Sequence, residues 1–322
     1  MIVKGIGATT HLDKHNCRIA KEALESATKD INEGIYAIGV GIEHDSSIMP
    51  IGKVVSGKLV ELDDGEYGLE IEQELFDEYR ICSNKENEKW YISESKRDSR
   101  PFADTQAENI KNIKISIDPV NFSKENYETL IDFYEKDCLL DTECFMRKSV
   151  IPDPEIILTL VTGTIAVMTG KKVTEKITEQ VADDIVKIYE LIKKIVLETI
   201  KRCKQGNRPV TYMVREKNSY LLELLVVTEK PDILFEALLE EKMHHIEMEI
   251  EKFLDTFDVK IAKIQCIYDV EKQKWVVNYV STNDGKVIGS EKCYKKTVEL
   301  AKRLEAGMLN EKNEDTLYKK DS

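Results

Sequence analysis

Among the five histidines of this 322-residue chain, His44 stands out, set in GVGIEHDSSIMPIGKV between a β-like run and an Asp-Ser-Ser turn. Histidine changes charge nearest neutral pH, so at the exit of a strand it suits a general base. The same place also suits a polar turn residue, and Asp45 reads as a turn former rather than a catalytic acid. Both readings of His44 stand. His11, Asp13 and His15 in HLDKHN are of the right types to gather a cation, while Asp13 alone fits the cap of the helix that begins near Arg18. His245 and Glu249 lie one helical turn apart in KMHHIEMEIEKFL and could share a metal. Two ligands make no site, and with His244 and Glu247 they read as a solvated helix face. Gly39 and Gly41 do not form a G-x-G-x-x-G opening a helix, which argues against a dinucleotide site. No cofactor and no metal is expected.

The elements that would position these groups follow from hydrophobic periodicity. IVKGIGAT reads as a first strand, and Ile19, Ala23, Leu24, Ala27 and Ile31 then recur at helical spacing up to Gly34. IYAIGVGIEH, IGKVVSGKLVEL and GLEIEQELF read as strands, the last two joined by a turn at Asp64-Gly65. From Ile81 to Ala107 the chain is polar and reads as a long loop or insertion. NIKNIKISIDPV alternates Ile113, Ile115 and Ile117 with Asn112, Lys114 and Ser116, as a half-buried strand does. KENYETLIDFYEKD predicts a short amphipathic helix, and PDPE at 152–155 marks a domain boundary.

Beyond that boundary, EIILTLVTGTIAVMTG stays apolar for about 15 residues, short of the roughly 20 that a membrane-spanning helix needs. It reads as a buried or partner-packing helix, and with the periodic run from Thr174 to Lys204 it predicts a helical hairpin. Residues 207–308 then read strand, strand, helix, strand, strand, helix: Val210 to Arg215, Tyr220 to Thr228, Pro231 to Phe257, Lys260 to Tyr268, Lys274 to Thr282 and Glu291 to Leu304. That ββαββα order predicts a two-layer domain with an antiparallel sheet and both helices on one face. Trp275 is expected to pack against a sheet or helix. The tail 309–322 reads as disordered.

Three stretches together carry a family resemblance: TTHLDKHNCRIAKEALES at 9–26, GIEHDSSIMPIGKV at 41–54 and DDGEYGLE at 63–70. In that order they resemble the tailed-phage prohead (capsid maturation) proteases, over roughly residues 1–120. The resemblance implies an assemblin-like β-barrel and a serine peptidase acting on protein. Carried onto this chain, it makes His44 the base and Ser116, in KISID, the nucleophile; Asp118 stands where the family has glycine. The nearby acids for a third member are Asp141 and Glu143, and Glu143 completes the expected set. From the residues alone, Ser116 reads as an outward-facing strand residue in an alternating pattern.

The expected fold class is therefore α+β, with an assemblin-like β-rich domain over 1–150, a helical hairpin over 151–206 and the ββαββα domain over 207–308. Net charge of −13 disfavours a nucleic-acid partner, because phosphate binding needs a concentrated positive surface. Seven scattered cysteines without a C-x-x-C pair, and no apolar leader at the start, predict a cytoplasmic protein with reduced thiols. Two functions are in view: a peptidase that cleaves a protein, or a phage-associated or phage-sensing protein that keeps the protease fold, binds a protein partner and oligomerises without cleaving. A third reading gives residues 155–204 the task of driving oligomerisation or inserting into a membrane. Membrane association is not expected, and a homo-oligomer is.

Overall fold

The structure, a computed structural model, describes residues 1–12, 18–106, 110–145, 153–169, 179–203 and 208–305. In chain order the strands and helices are β1 (Ile2–Thr9), α1 (Lys21–Glu33), β2 (Ile38–Val40), β3 (Gly52–Glu61), β4 (Tyr67–Leu75), β5 (Arg80–Ser83), β6 (Lys89–Ser93), β7 (Lys114–Ile117), α2 (Lys124–Asp132), β8 (Asp141–Cys144) and β9 (Glu155–Leu160). There follow α3 (Thr164–Met168), α4 (Glu179–Arg202), β10 (Val210–Lys217), β11 (Leu221–Thr228), α5 (Pro231–Ala237), α6 (Glu240–Leu254), β12 (Ile261–Asp269), β13 (Lys274–Thr282), β14 (Val287–Ser290) and α7 (Glu291–Glu305). The protein is mixed α and β, with seven α-helices and two sheets among the described residues, and neither sheet closes into a barrel. The described residues form two compact units, one within 1–106, 259–262 and 279–305, the other within 110–258 and 263–278.

In the first unit an antiparallel sheet of order β1-β4-β3-β2 carries α1 on one face. The helical spacing read from the sequence is the packing face: Leu24 and Ile31 are buried against Val54 and Leu69, with Ile19 and Ala27 beside them. Gly34 ends the helix because its backbone lies over the last turn. A Cβ there would fall 2.2 Å from the Asp30 carbonyl oxygen, whose hydrogen bond comes from the Gly34 amide. Gly52, at the start of β3, is needed for a similar reason, since a Cβ would fall 2.3 Å from the Glu74 carbonyl oxygen on β4. Of the run IYAIGVGIEH, only Ile38–Val40 is a strand.

The polar stretch after Ile81, expected as a loop, contains the β5–β6 hairpin. Its turn is closed by Asn84, whose side chain accepts from the Glu86 and Glu88 amides at 3.0 and 2.9 Å. Trp90, Tyr91 and Ile92 are buried. β14 pairs with β6, and α7 packs against both.

In the second unit the strand order is β12-β11-β10-β9-β7-β8. The pairs β11/β12, β10/β9 and β7/β8 are parallel, so the sheet is mixed where the sequence predicted an antiparallel one. Asp153-Pro154 leads directly into β9. Much of the expected C-terminal order is present: β10, β11, β12 and β13 match, the long helix divides into α5 and α6, and β14 is an added strand. Trp275 is fully buried, and its Nε1 donates to the Ala237 carbonyl at 2.9 Å.

The helical hairpin does not form as expected among the described residues. The run read as its first helix is β9 followed by the single-turn α3, while its second helix is α4. Periodicity cannot distinguish a strand buried on both faces from a buried helix, because both are continuous apolar runs; length and β-branching decide. Ile156, Ile157, Leu158 and Leu160 are all buried. Ile177 of the expected second helix and the tail 309–322 lie outside the described residues. Among the described residues, no helix is long and apolar enough to cross a membrane.

Candidate functional site

His44 sits in the first unit, exposed, in the tight turn between β2 and β3. Glu43 and His44 both have left-handed backbone, with φ of 48° and 57°. Asparagine, aspartate and histidine tolerate that region better than other side chains, so the turn selects for residues such as His44 independently of chemistry. The Asp45 amide donates to the Ile42 carbonyl at 3.0 Å. Asp45 does form a turn: its Oδ1 accepts from the Ser47 amide at 2.8 Å and the Ser47 hydroxyl at 2.5 Å.

Asp45 also carries a role that the sequence did not indicate. Lys296 on α7 reaches Asp45 Oδ2 at 2.8 Å and donates to the Ser47 hydroxyl as well. Burial pushes the Asp45 carboxyl up, but the Lys296 charge, with hydrogen bonds from Lys296 and Ser47, outweighs it and holds the group below its ordinary range. Below the turn, Met49 joins Phe102, Tyr279, Val287 and Cys293 in a buried cluster. The segment 41–54 thus anchors the last strand and helix of its unit.

Ser116 and Glu143 lie in the second unit. β7 and β8 run parallel with Ser116 opposite Glu143, and the serine hydroxyl donates to Glu143 Oε2 at 3.0 Å. Lys114, two residues before Ser116, binds the same oxygen at 2.8 Å. The Lys114 hydrogen bond is the main reason that the Glu143 carboxyl lies below its ordinary range; burial opposes it, and Ser116 and the Arg215 charge assist. Ser116 is only 5% exposed, so β7 is buried on both faces rather than half-buried. Asp118 lies just past the strand and caps a short 3₁₀ turn, accepting from the Val120 amide at 3.1 Å. The structure thus brings together two of the three expected residues, Ser116 and Glu143, and places His44 in the other unit.

The chain matches no family model, no curated protein and no solved structure.

The most heavily built polar site was not singled out from the sequence. Arg215 on β10, Glu223 on β11 and Gln265 on β12 are direct cross-strand neighbours. Glu223 is 1% exposed; Arg215 reaches it at 3.0 Å, Lys263 at 3.4 Å, and Gln265 Nε2 donates to it at 3.0 Å. Asn278 on β13 donates to Gln265 Oε1 at 2.8 Å, extending the row. Burial pushes the Glu223 carboxyl up, yet the charges of Lys263 and Arg215 prevail and its pKa lies below the ordinary value. The signal was present: in LLELLVVT and IAKIQCIY, single polar residues interrupt apolar strands at alternate positions, and buried polar groups demand partners.

Of the other candidates, His11 pairs with Asp64 at 2.6 Å, while Asp13 and His15 lie outside the described residues. His244 and His245 are exposed on α6. No group of three or more metal-binding side chains gathers among the described residues.

Proposed function

We propose that the chain is a non-hydrolytic binding protein whose ligand is a protein. The observation that carries this reading is the Ser116–Glu143–Lys114 contact. A serine nucleophile needs a neighbouring base able to take its proton as the new bond forms. The Ser116 proton points instead to a carboxylate whose basicity Lys114 lowers, and that carboxylate is a far weaker base than imidazole. The hydroxyl is also buried, which hinders attack on a peptide carbonyl. Ser116 and Glu143 serve in this reading to tie β7 to β8.

Binding is supported by the edge of the first unit's sheet. β1 runs eight residues at the end of the strand order, with Ile2, Val3 and Ile6 exposed. An exposed edge of that length offers main-chain donors and acceptors to an added strand, and its apolar side chains offer specificity. The six described cysteines are all unpaired, in keeping with a reducing compartment. Hydrolysis of unfolded casein should be the same for wild type, Ser116→Ala and His44→Ala, at the level of buffer alone, with every intact mass unchanged. Casein cleavage that either substitution abolishes would overturn the proposal.

A further inference from the structure

β1 ends the strand order β1-β4-β3-β2, so among the described residues it is bonded to a strand on one side only. The antiparallel ladder fixes which of its main-chain groups face outward. Met1 and Leu75 exchange both main-chain hydrogen bonds, at 2.8 and 2.9 Å. Bonded and non-bonded pairs alternate along such a ladder. Val3, opposite Gln73, and Gly5, opposite Ile71, therefore bond to β4 as well, while Ile2, Lys4 and Ile6 turn their amides and carbonyls away from it. The side chains of these three share one face. Ile2 and Ile6 are 42% and 48% exposed, and Lys4 stands between them with its ammonium 3.1 Å from Glu72 on β4. A bulge between Ile6 and Ala8 ends this regular stretch.

We infer that β1 of a second copy of this chain fills this edge, the two strands running antiparallel about a two-fold axis at Gly5. The inference rests on the reading of β1 as a binding edge given above, and it names the partner. A strand can pair with itself only in a register where outward main-chain groups meet outward groups and like charges do not oppose each other. Centring the axis on Lys4 sets the two Lys4 side chains directly opposite one another, which is destabilising. Centring it on Gly5 sets Lys4 opposite Ile6 of the other copy, twice by symmetry. Both residues point their main-chain groups outward, so both pairs close hydrogen bonds across the axis. The apolar stem of each Lys4 covers the facing Ile6.

The charges complement in the same register. Within one chain Lys4 lies opposite Glu72 and Ile6 opposite Glu70. Each Lys4 thus stands between Glu72 of its own β4 and, beyond the facing Ile6, Glu70 of the other copy. Gly5 meets Gly5 at the axis, and a Cβ there has no atom within 4 Å in the single chain, so the backbones approach without obstruction. The two four-stranded sheets join into one antiparallel sheet, and each covers the free edge of the other.

Sedimentation velocity of the full chain over a range of concentrations tests the assignment. Wild type should pass from monomer to dimer as concentration rises. Lys4→Pro removes an outward amide and none of the bonds to β4, a place where an edge strand tolerates proline, and should weaken the dimer at least about tenfold. Ile6→Lys sets an ammonium against Lys4 at both pairs, whereas Ile6→Glu sets a carboxylate there, so the Glu variant should dimerise at least about tenfold more tightly than the Lys variant. Ile6 is exposed, so this comparison decides should Lys4→Pro disturb folding. A monomer at every concentration, equal affinity of the two Ile6 variants, or a dimer that Lys4→Pro leaves unchanged would overturn the inference. A monomer would remove the second copy as the partner and leave the casein result, which tests hydrolysis, unaffected.

Discussion

Glu223→Gln should destabilise the second unit by about 3–5 kcal/mol, the cost of removing one partner from a buried ion pair. The substitution is nearly isosteric, so no cavity arises and the effect is electrostatic. Lys263, 3% exposed at its side chain, would lose the carboxylate 3.4 Å away, and Arg215 would lose its partner at 3.0 Å. Two cations would then share a poorly solvated face. Adding Lys263→Met should recover part of the loss, because removing both buried charges is far less costly than stranding one. Urea unfolding followed by Trp275 fluorescence, in a Trp90→Phe background, measures both effects. The pH dependence has a definite sign. Glu223 has a depressed pKa in the folded protein, so its contribution is complete above the ordinary value of 4.5 and fades as pH falls through the folded value. Wild type and Glu223→Gln should therefore converge in acid. A difference below about 1 kcal/mol at pH 7, where the buried-pair cost should be complete, would show that the row is not a buried charge network.

The second large effect concerns Lys53 on β3, which is fully buried in the first unit. Its ammonium donates to the carbonyls of Asp98 at 2.9 Å and Arg100 at 2.5 Å, and lies 4.8 Å from the centre of the Phe102 ring. Burial pushes its pKa down to about 8, with Asp98 pulling it up and Arg100 pushing it down. Below pH 8 the folded and unfolded chains both carry the proton, and the fold bears the cost of a buried ammonium. Between the folded value of about 8 and the ordinary 10.5, the folded chain releases the proton first, so that cost is relieved as pH rises. Relative to Lys53→Met, wild type should gain up to about 3 kcal/mol across that window, from the 1.4 kcal/mol that each pKa unit represents. Urea midpoints of the two proteins at pH 7.5 and pH 10.5 provide the measurement. Parallel shifts in the two proteins would refute the assignment.

These two sites mark where the sequence was legible and where it was not. Leu24, Ala27 and Ile31 declared α1 because a helix packed on one face repeats every three to four residues. β3 and β4 were likewise readable from alternation and from the turn at Gly65, whose φ of 83° suits glycine. β9 was misread because Glu155–Leu160 is buried on both faces and so lost its alternation. β14 was missed because four residues are too few to show a period.

The candidate site was legible only within strands. Ser116 and Glu143 meet because parallel pairing places them opposite each other, a register that spacing cannot reveal across 26 intervening residues. The Asp45–Lys296 pair spans still more chain and needs α7 folded back beside the turn. Charged pairs distant in sequence remain invisible until the topology is known. Lone polar residues in apolar strands do announce that a partner exists, as Glu223, Lys263 and Gln265 show.

The central claim, that Ser116 is not a nucleophile, is tested most directly by a fluorophosphonate probe and peptide mapping of the labelled chain beside an active serine protease. The account predicts no adduct on Ser116, at neutral and at alkaline pH alike, while the control enzyme labels completely. An adduct at Ser116 that disappears in His44→Ala would contradict it.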